Sequence, residues 1–463
     1  MTDRLSPLDV SFLYLESPTT PMHVGSVALF QRPEQGFDYD RLCTIISERL
    51  GSVPRYRQIV KWVPGHLANP VWVDDVDFDI SYHVRRSALP RPGTEPQLRE
   101  LVGRLVSRPL DRNRPLWEIY LVEGVEGDRA AIVTKTHHAM VDGVSAVDVG
   151  TMILDLTPEP EHKPAEQWHP AKPPSSVSLA VGAVGDAVRR PVEVIDTVRG
   201  AVADVRRTAR RVGGLAGGLF SAFNTVGRAA PPSPFNVDIG EQRRFGMAKT
   251  ELDDYKRVRK AYGGTINDVV LATVAGALRS FLLMRGEPVT TTTTLRAMVP
   301  VSVRTDDQQG ALGNKVSSYF VDLPVGEPNP VVRLHQVSYA MKAHKESGQS
   351  VGADAIIALS GFAPPTIHAT AARLASGMTR RLFNLVVTNV PGPQFPLYAA
   401  GARMLEAYPV VPLAKGQGVC IGLMSYDGGV YYGLNADRDA MPDVDVLASS
   451  IEESLAELVE GAK

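Results

Sequence analysis

Two adjacent histidines, His137 and His138, are followed four residues after the second by Asp142 and then by Gly143. This grouping suits proton transfer. An alcohol that attacks a thioester has a pKa far above neutral, so its proton must leave as the new C–O bond forms. Histidine is the side chain whose unperturbed pKa lies nearest the operating pH. An aspartate in the following turn can fix the loop, and a glycine permits backbone geometry that other residues resist. The residues alone leave two other readings open, a surface pair or a pair of metal ligands. Ligation by neighbours on one strand is awkward, because their side chains point to opposite faces.

The flanking sequence predicts how the pair is delivered. Trp117–Val122 and Ala130–Thr136 have strand character and are separated by the turn-rich segment Glu123–Arg129. A hairpin of these two strands leads directly into His137. Upstream, Val24–Phe30 reads as a strand, and Asp40–Leu50 and Gln97–Leu110 carry helical apolar spacing. Downstream, helices are expected at Leu252–Tyr262, Asn267–Arg285, Leu334–His344, Ala369–Leu382 and Val444–Val459. Strands are expected at Thr290–Val303 and Leu385–Val390, with a hairpin of Val419–Met424 and Val430–Leu434.

The chain has 463 residues, 44% apolar and 22% charged, with a formal net charge of −2. Such a length predicts about two or three domains. No global positive field favours nucleic acid. Two cysteines, Cys43 and Cys420, argue against a disulfide framework or structural zinc site and suit a reducing compartment. No secretory signal is read at the N-terminus, and no apolar run reaches the ~20 residues that cross a bilayer. Proline and charge then crowd 157–176, a surface loop. From Val181 to Val212 a valine stripe alternates with arginines, with Pro191 expected to break it. This stripe can lie on a membrane or lipid droplet, or pack on the protein with its arginines solvated; Asp186, Glu193, Asp196 and Asp204 weaken the membrane reading.

His137–Gly143 matches the HHxxxDG signature of the chloramphenicol-acetyltransferase-like acyltransferases. In detail the chain more closely resembles the bacterial wax ester synthase/diacylglycerol acyltransferase family. The residues that carry this are Leu5-Ser6-Pro7-Leu8-Asp9, Pro21-Met22-His23-Val24-Gly25, Arg114-Pro115-Leu116-Trp117-Glu118, Thr265–Ala272, Val299–Arg304 and Thr388–Pro393. The resemblance covers nearly the whole chain outside 160–235. It implies an α/β protein with two chloramphenicol-acetyltransferase-like domains holding mixed sheets: residues 1–160, a helical linker at 161–235, and residues 236–463. The active site is expected in a channel between the two domains.

The same resemblance implies the chemistry. His138 would be the base of a direct acyl transfer from acyl-coenzyme A to diacylglycerol, with fatty alcohols, a carrier-protein donor or a non-catalytic lipid-binding role as alternatives. His137 either supports the loop or contacts substrate. Asp142 would order the loop through an arginine, with Arg304 as candidate. Asn267 either donates a hydrogen bond to the oxyanion or caps a helix, a position that Thr265 also fits. Gly143, Pro115, Leu116, Trp117, Asp268, Thr388 and Asn389 are further expected substrate-binding positions, although Trp117 also reads as plain core. No metal or bound cofactor is implied; acyl-coenzyme A is a co-substrate. The expected location is cytoplasmic, with a peripheral place on the inner membrane face or on lipid droplets left open. Gly416–Gly422 superficially resembles a phosphate loop but reads as a turn entering a strand. Cys420, in that apolar run, lacks a neighbour that would activate it.

Overall fold

A computed structural model describes residues 3–33, 37–141, 149–159, 168–189, 229–302, 316–347, 351–352 and 380–462. Asp142, Gly143 and Arg304 lie outside these residues, as do the expected break at Pro191, the valine stripe beyond Arg189 and most of the helix expected at Ala369–Leu382.

The strands in chain order are β1 (Asp3–Arg4), β2 (His23–Gln31), β3 (Gln58–Lys61), β4 (Val71–Asp74), β5 (Val84–Ala88), β6 (Trp117–Val125), β7 (Arg129–His137), β8 (Leu154–Asp155), β9 (Arg243–Glu251), β10 (Leu295–Ser302), β11 (Val316–Leu323), β12 (Val351–Gly352), β13 (Leu385–Pro391), β14 (Tyr398–Ala399), β15 (Ala402–Val410), β16 (Val419–Tyr426) and β17 (Gly429–Asp437). The helices are α1 (Pro7–Leu15), α2 (Tyr39–Arg49), α3 (Ile80–His83), α4 (Glu95–Ser107), α5 (His138–Val141), α6 (Val149–Ile153), α7 (Ser176–Arg189), α8 (Leu252–Tyr262), α9 (Ile266–Met284), α10 (Pro330–Ser347) and α11 (Val444–Gly461).

Two seven-stranded sheets organise the chain, in the orders β5-β6-β7-β2-β15-β14-β8 and β12-β11-β10-β13-β16-β17-β9. Both are mixed: β5–β6, β10–β13 and β13–β16 are parallel and the other pairs antiparallel. A third, small sheet runs β1-β4-β3. The expected hairpins, β6–β7 and β16–β17, are present, and α2, α4, α8, α9, α10 and α11 fall where the apolar spacing placed them. The mixed α/β architecture is as the resemblance implied.

The sheets do not divide at one point in the chain. Strands β14 and β15 come from the C-terminal third, yet they sit between β2 and β8 in the first sheet. The apolar core beneath that sheet accordingly contains Ala399, Met404, Tyr408, Tyr426 and Tyr431 alongside Phe30, Trp117 and Val133. The second core packs α9, α10 and α11 against the other sheet. Helix α9 is long and apolar enough to cross a membrane, but most of it is buried in this core.

One strand is shorter than its composition suggests. Thr290–Val303 is rich in β-branched residues, but β10 begins only at Leu295. The Thr290 N–H donates to Thr293 Oγ1 at 2.9 Å and the Thr293 N–H to the Thr290 carbonyl at 3.0 Å, closing a turn. Hydroxyls that can satisfy nearby backbone groups favour turns over ladders.

Candidate active site

The site is built where β7 ends. His137 is the last residue of that strand and pairs with His23 on β2. The chain turns at once into α5, and the His138 N–H donates to the Met22 carbonyl at 2.8 Å. The two histidines therefore meet different surroundings.

His137 is 1% exposed. Its Nδ1 accepts the Ala139 N–H at 3.1 Å, so the proton of the neutral ring sits on Nε2. That nitrogen lies 3.7 Å from Glu16 Oε1, too long for a hydrogen bond but close enough for strong electrostatic coupling. These contacts tie His137 to the turn and to the end of α1.

Glu16 and Phe12 were not singled out in the sequence, and both prove central. Glu16 closes the C-terminus of α1, where its N–H donates to the Phe12 carbonyl. Its carboxylate takes a fork from Arg112, Nε at 2.9 Å and Nη2 at 2.6 Å, and accepts the Met22 N–H at 3.3 Å. Burial alone would raise the Glu16 pKa; His137 and Arg112 outweigh it and hold the carboxyl down to about 2. The only available signal in the sequence was their position between two family-like blocks, Leu5–Asp9 and Pro21–Gly25.

His138 is half-buried. Its ring stacks on Phe12 with centroids 4.0 Å apart and planes at 21°. Its Nδ1 is sealed from solvent, with no partner outside its own residue among the described residues. Burial lowers the ring's pKa to about 4; its own carbonyl opposes this, and His137 adds to it. His138 is thus unprotonated at neutral pH, and Nε2 is the nitrogen left to exchange a proton.

The second group of expected residues lies at the start of α9 and along β13. Thr265 is the N-cap: its hydroxyl accepts the Asp268 N–H at 3.1 Å, and the Asp268 carboxylate accepts the Thr265 N–H at 2.8 Å. Asn267 is therefore not the cap. It is half-buried, and its Oδ1 accepts from Asn389 Nδ2 at 3.4 Å, which leaves its own amide N–H groups as donors. Thr388 and Asn389 are half-buried on β13.

Strand β15 links this group to the first sheet. Thr388 pairs with Gly422, and a Cβ on Gly422 would meet Val411 at 2.7 Å and Pro409 at 3.2 Å. Pro409 pairs with Ser26, and Ser26 with Thr134 on the strand that carries His137.

Four expected substrate-binding positions, Pro115, Leu116, Trp117 and Asp268, are buried. The Asp268 carboxylate is taken up by the cap and by Ser338 Oγ at 2.8 Å, because a helix N-terminus must satisfy free N–H groups. Pro115 and Leu116 are buried. Trp117 is wholly buried: its Nε1–H donates to the Tyr56 carbonyl at 2.8 Å, and its ring stacks on His83 at 4.5 Å. A buried indole needs such a partner, and the large ring fills core rather than lining a channel. Cys420 is buried, which pushes its thiol pKa up and makes it a poor nucleophile. Gly416 adopts a positive φ of 82° in the turn before β16.

The chain is similar to known proteins along most of its length. Residues 5–270 match the wax ester synthase/diacylglycerol acyltransferase catalytic domain, and residues 312–459 match the C-terminal domain of the same enzymes. The chain is 34% identical over 459 residues to the probable diacylglycerol O-acyltransferase tgs1 of Mycobacterium tuberculosis, covering 99% of this chain and 96% of that one. It is 36% identical over 463 residues to tgs2 of the same organism, covering 98% of each. Among solved structures it is similar to the wax ester synthase/diacylglycerol acyltransferase of Marinobacter aquaeolei VT8, with a TM-score of 0.71, 28% identity and 99% of each chain covered. The first condensation domain of the CDA synthetase, at 15% identity and a TM-score of 0.54, shares the fold. The chain is an acyltransferase that belongs to the wax ester synthase/diacylglycerol acyltransferase family.

Proposed function

We propose that this enzyme transfers a long-chain fatty acyl group from acyl-coenzyme A to diacylglycerol, with His138 as general base. The observation that carries the reading is a half-buried imidazole at a strand end whose Nδ1 is sealed and whose Nε2 has no partner among the described residues. Nε2 takes the proton of the acceptor hydroxyl as its oxygen attacks the thioester carbonyl. The tetrahedral centre collapses, the C–S bond breaks, and the imidazolium returns the proton to the departing thiolate. The products are triacylglycerol and free coenzyme A, and no acyl-enzyme or bound cofactor is required. Asn267, whose N–H groups have no partner among the described residues, is the candidate donor to the oxyanion. A low proton affinity weakens the base's driving force but keeps it in the accepting form at neutral pH.

The proposed location is cytoplasmic, at a membrane or lipid-droplet surface, where the acceptor resides. Helix α7 supports this. Leu179 packs on Val63, Val71 and Val73, while Val177 and Val181 on the same helix and Leu67 nearby are exposed.

The test is release of coenzyme A from palmitoyl-coenzyme A with diacylglycerol, hexadecanol or no acceptor, in the parent and in His138→Ala. Acceptor-dependent release that falls on the order of a hundredfold or more in the variant is expected. Preference for hexadecanol would reassign the acceptor to fatty alcohols. Equal release by both proteins would remove His138 from the mechanism.

A further inference from the structure

A histidine base needs its ring held in one plane, with the reacting nitrogen aimed at the substrate. That is commonly done by a carboxylate or carbonyl on the other nitrogen. Here no carboxylate reaches His138 Nδ1 among the described residues; that atom is sealed and its nearest polar influence is the residue's own carbonyl. That local contact restrains one nitrogen, and a second restraint acts on the face of the ring. The neighbour positioned to supply it is a phenyl ring, nearly parallel to the imidazole and 4.0 Å away.

We propose that Phe12 is a positioning residue for His138: its ring fixes the plane of the imidazole and keeps water off one face. This rests on His138 being the base.

The ring is itself well anchored. Helix α1 starts on Pro7 behind a reciprocal cap between Ser6 and Asp9, and Val10 and Leu13 bury its other side. Glu16 ends it, tied to Arg112 and Met22. Arg112 also donates from Nη2 to the Leu13 carbonyl at 2.7 Å. The same Met22 that binds Glu16 accepts the His138 N–H. One short helix thus presses Phe12 onto His138 and sets Glu16 beside His137.

Two electrostatic effects oppose each other. An imidazolium stacked on a phenyl face gains a cation–π attraction. Exclusion of water disfavours the same charged form, and desolvation is the largest influence on this ring. A substitution at Phe12 that admits water to this face makes His138 easier to protonate. The titratable groups on the elements packed here are His137 and Lys135 on β7, and Asp9, Tyr14 and Glu16 on α1, with Arg112 bound to Glu16. None of these changes in a Phe12 variant.

The experiment follows His138 directly. The full chain is labelled with 13C and 15N at histidine, and the His138 ring signal is assigned by its loss in His138→Ala. It is then titrated in the parent and in Phe12→Leu, Phe12→Met, Phe12→Ala and Phe12→Tyr. The pH profile of kcat/KM is measured for the same Phe12 set. Phe12→Ala, which admits water to the ring, is expected to raise the His138 pKa by about one unit or more and to move the acid limb of kcat/KM up in step; Phe12→Leu and Phe12→Met keep the apolar cover but not the flat face, and are expected to lower kcat about tenfold with KM and the titration little changed. Phe12→Tyr, which keeps the ring, is expected to retain the parent's values. Should Phe12→Ala fail to fold, Phe12→Leu and Phe12→Met preserve most of the volume and carry the test. An unchanged kcat in folded Leu and Met variants overturns the proposal. If His138→Ala keeps its activity, the base assignment fails instead, and the titration still decides what Phe12 does to the ring.

Discussion

His137 and His138 are neighbours in sequence but separate in task. The His137 Nδ1 accepts the Ala139 N–H and its Nε2 faces Glu16, whereas His138 Nδ1 is sealed and its Nε2 has no partner among the described residues. Glu16 is where the site's support converges, since it touches Arg112, Met22 and His137. Glu16→Gln keeps the shape but removes the charge that the Arg112 fork and His137 face. We expect kcat to fall on the order of tenfold to a hundredfold with KM little changed, since misplacing a catalytic group slightly has a cost of that size. Steady-state kinetics would check this; a change confined to KM would place Glu16 in substrate binding. The histidine pair, Asn267 and the β13 residues were legible in the sequence because their motifs are contiguous. Phe12 and Glu16 were not, because their role arises only when α1 docks on the turn after β7, and no spacing in the sequence encodes that contact. Trp117 lies in a family-like block and is wholly buried, in keeping with its reading as plain core.

At the scale of elements, the C-terminus of α4 shows how buried polar groups are used. Its last carbonyls lack helical partners. His23 Nε2 donates to the Val106 carbonyl at 2.8 Å, and Lys135 Nζ to the Arg108 carbonyl at 2.7 Å. Both side chains are almost fully buried, and Lys135 also faces Glu118 at 3.4 Å. Burial, reinforced by the Lys135 charge, drives the His23 pKa down to about 3. Because the folded pKa is depressed, the unfolded chain takes up the proton first as pH falls below about 6.5. The stability His23 contributes is present above that pH and is lost progressively down to about 3. His23→Gln retains an N–H donor for Val106 without the titration. Between pH 7 and pH 4.5 the parent should therefore lose on the order of 2 kcal/mol more than the variant in urea unfolding. Parallel losses would show that His23 does not govern the acid limb. Sequence periodicity found α4 itself, but not its cap, because a cation and a histidine from two other strands supply it.

At the scale of the molecule, the decisive feature is β15. It pairs with β2 in the first sheet, yet side chains of the second sheet hold it from the other side. Tyr431 donates to the Leu405 carbonyl at 3.0 Å, Asn435 to Val411 at 2.8 Å, and Tyr426 to Met404 at 3.1 Å. A Cβ on Gly433 would fall 2.0 Å from the Pro409 carbonyl oxygen, so the two layers touch at backbone distance. From the other direction, the Arg243 N–H donates to Ser107 Oγ at 2.8 Å, and its guanidinium reaches the Thr19 carbonyl. Linear sequence suggests two separable units because β15 is read only as part of the second half. Its partner strand, β2, lies almost 400 positions earlier, and nothing local marks the pairing. Unfolding the second half would strip β15 from the first sheet and open the edge of β2, so the halves should unfold together. All four tryptophans, Trp62, Trp72, Trp117 and Trp168, lie in the first half, so their fluorescence reports that half alone, whereas far-ultraviolet circular dichroism reports both. We expect the two urea transitions to coincide in the parent, the mark of a single cooperative unit. Gly433→Ala should shift both midpoints downward together, with a loss of about 1–3 kcal/mol from the overpacked contact. A fluorescence midpoint distinct from the dichroism midpoint would mean that the shared strand does not couple the halves, and that each stands on its own core.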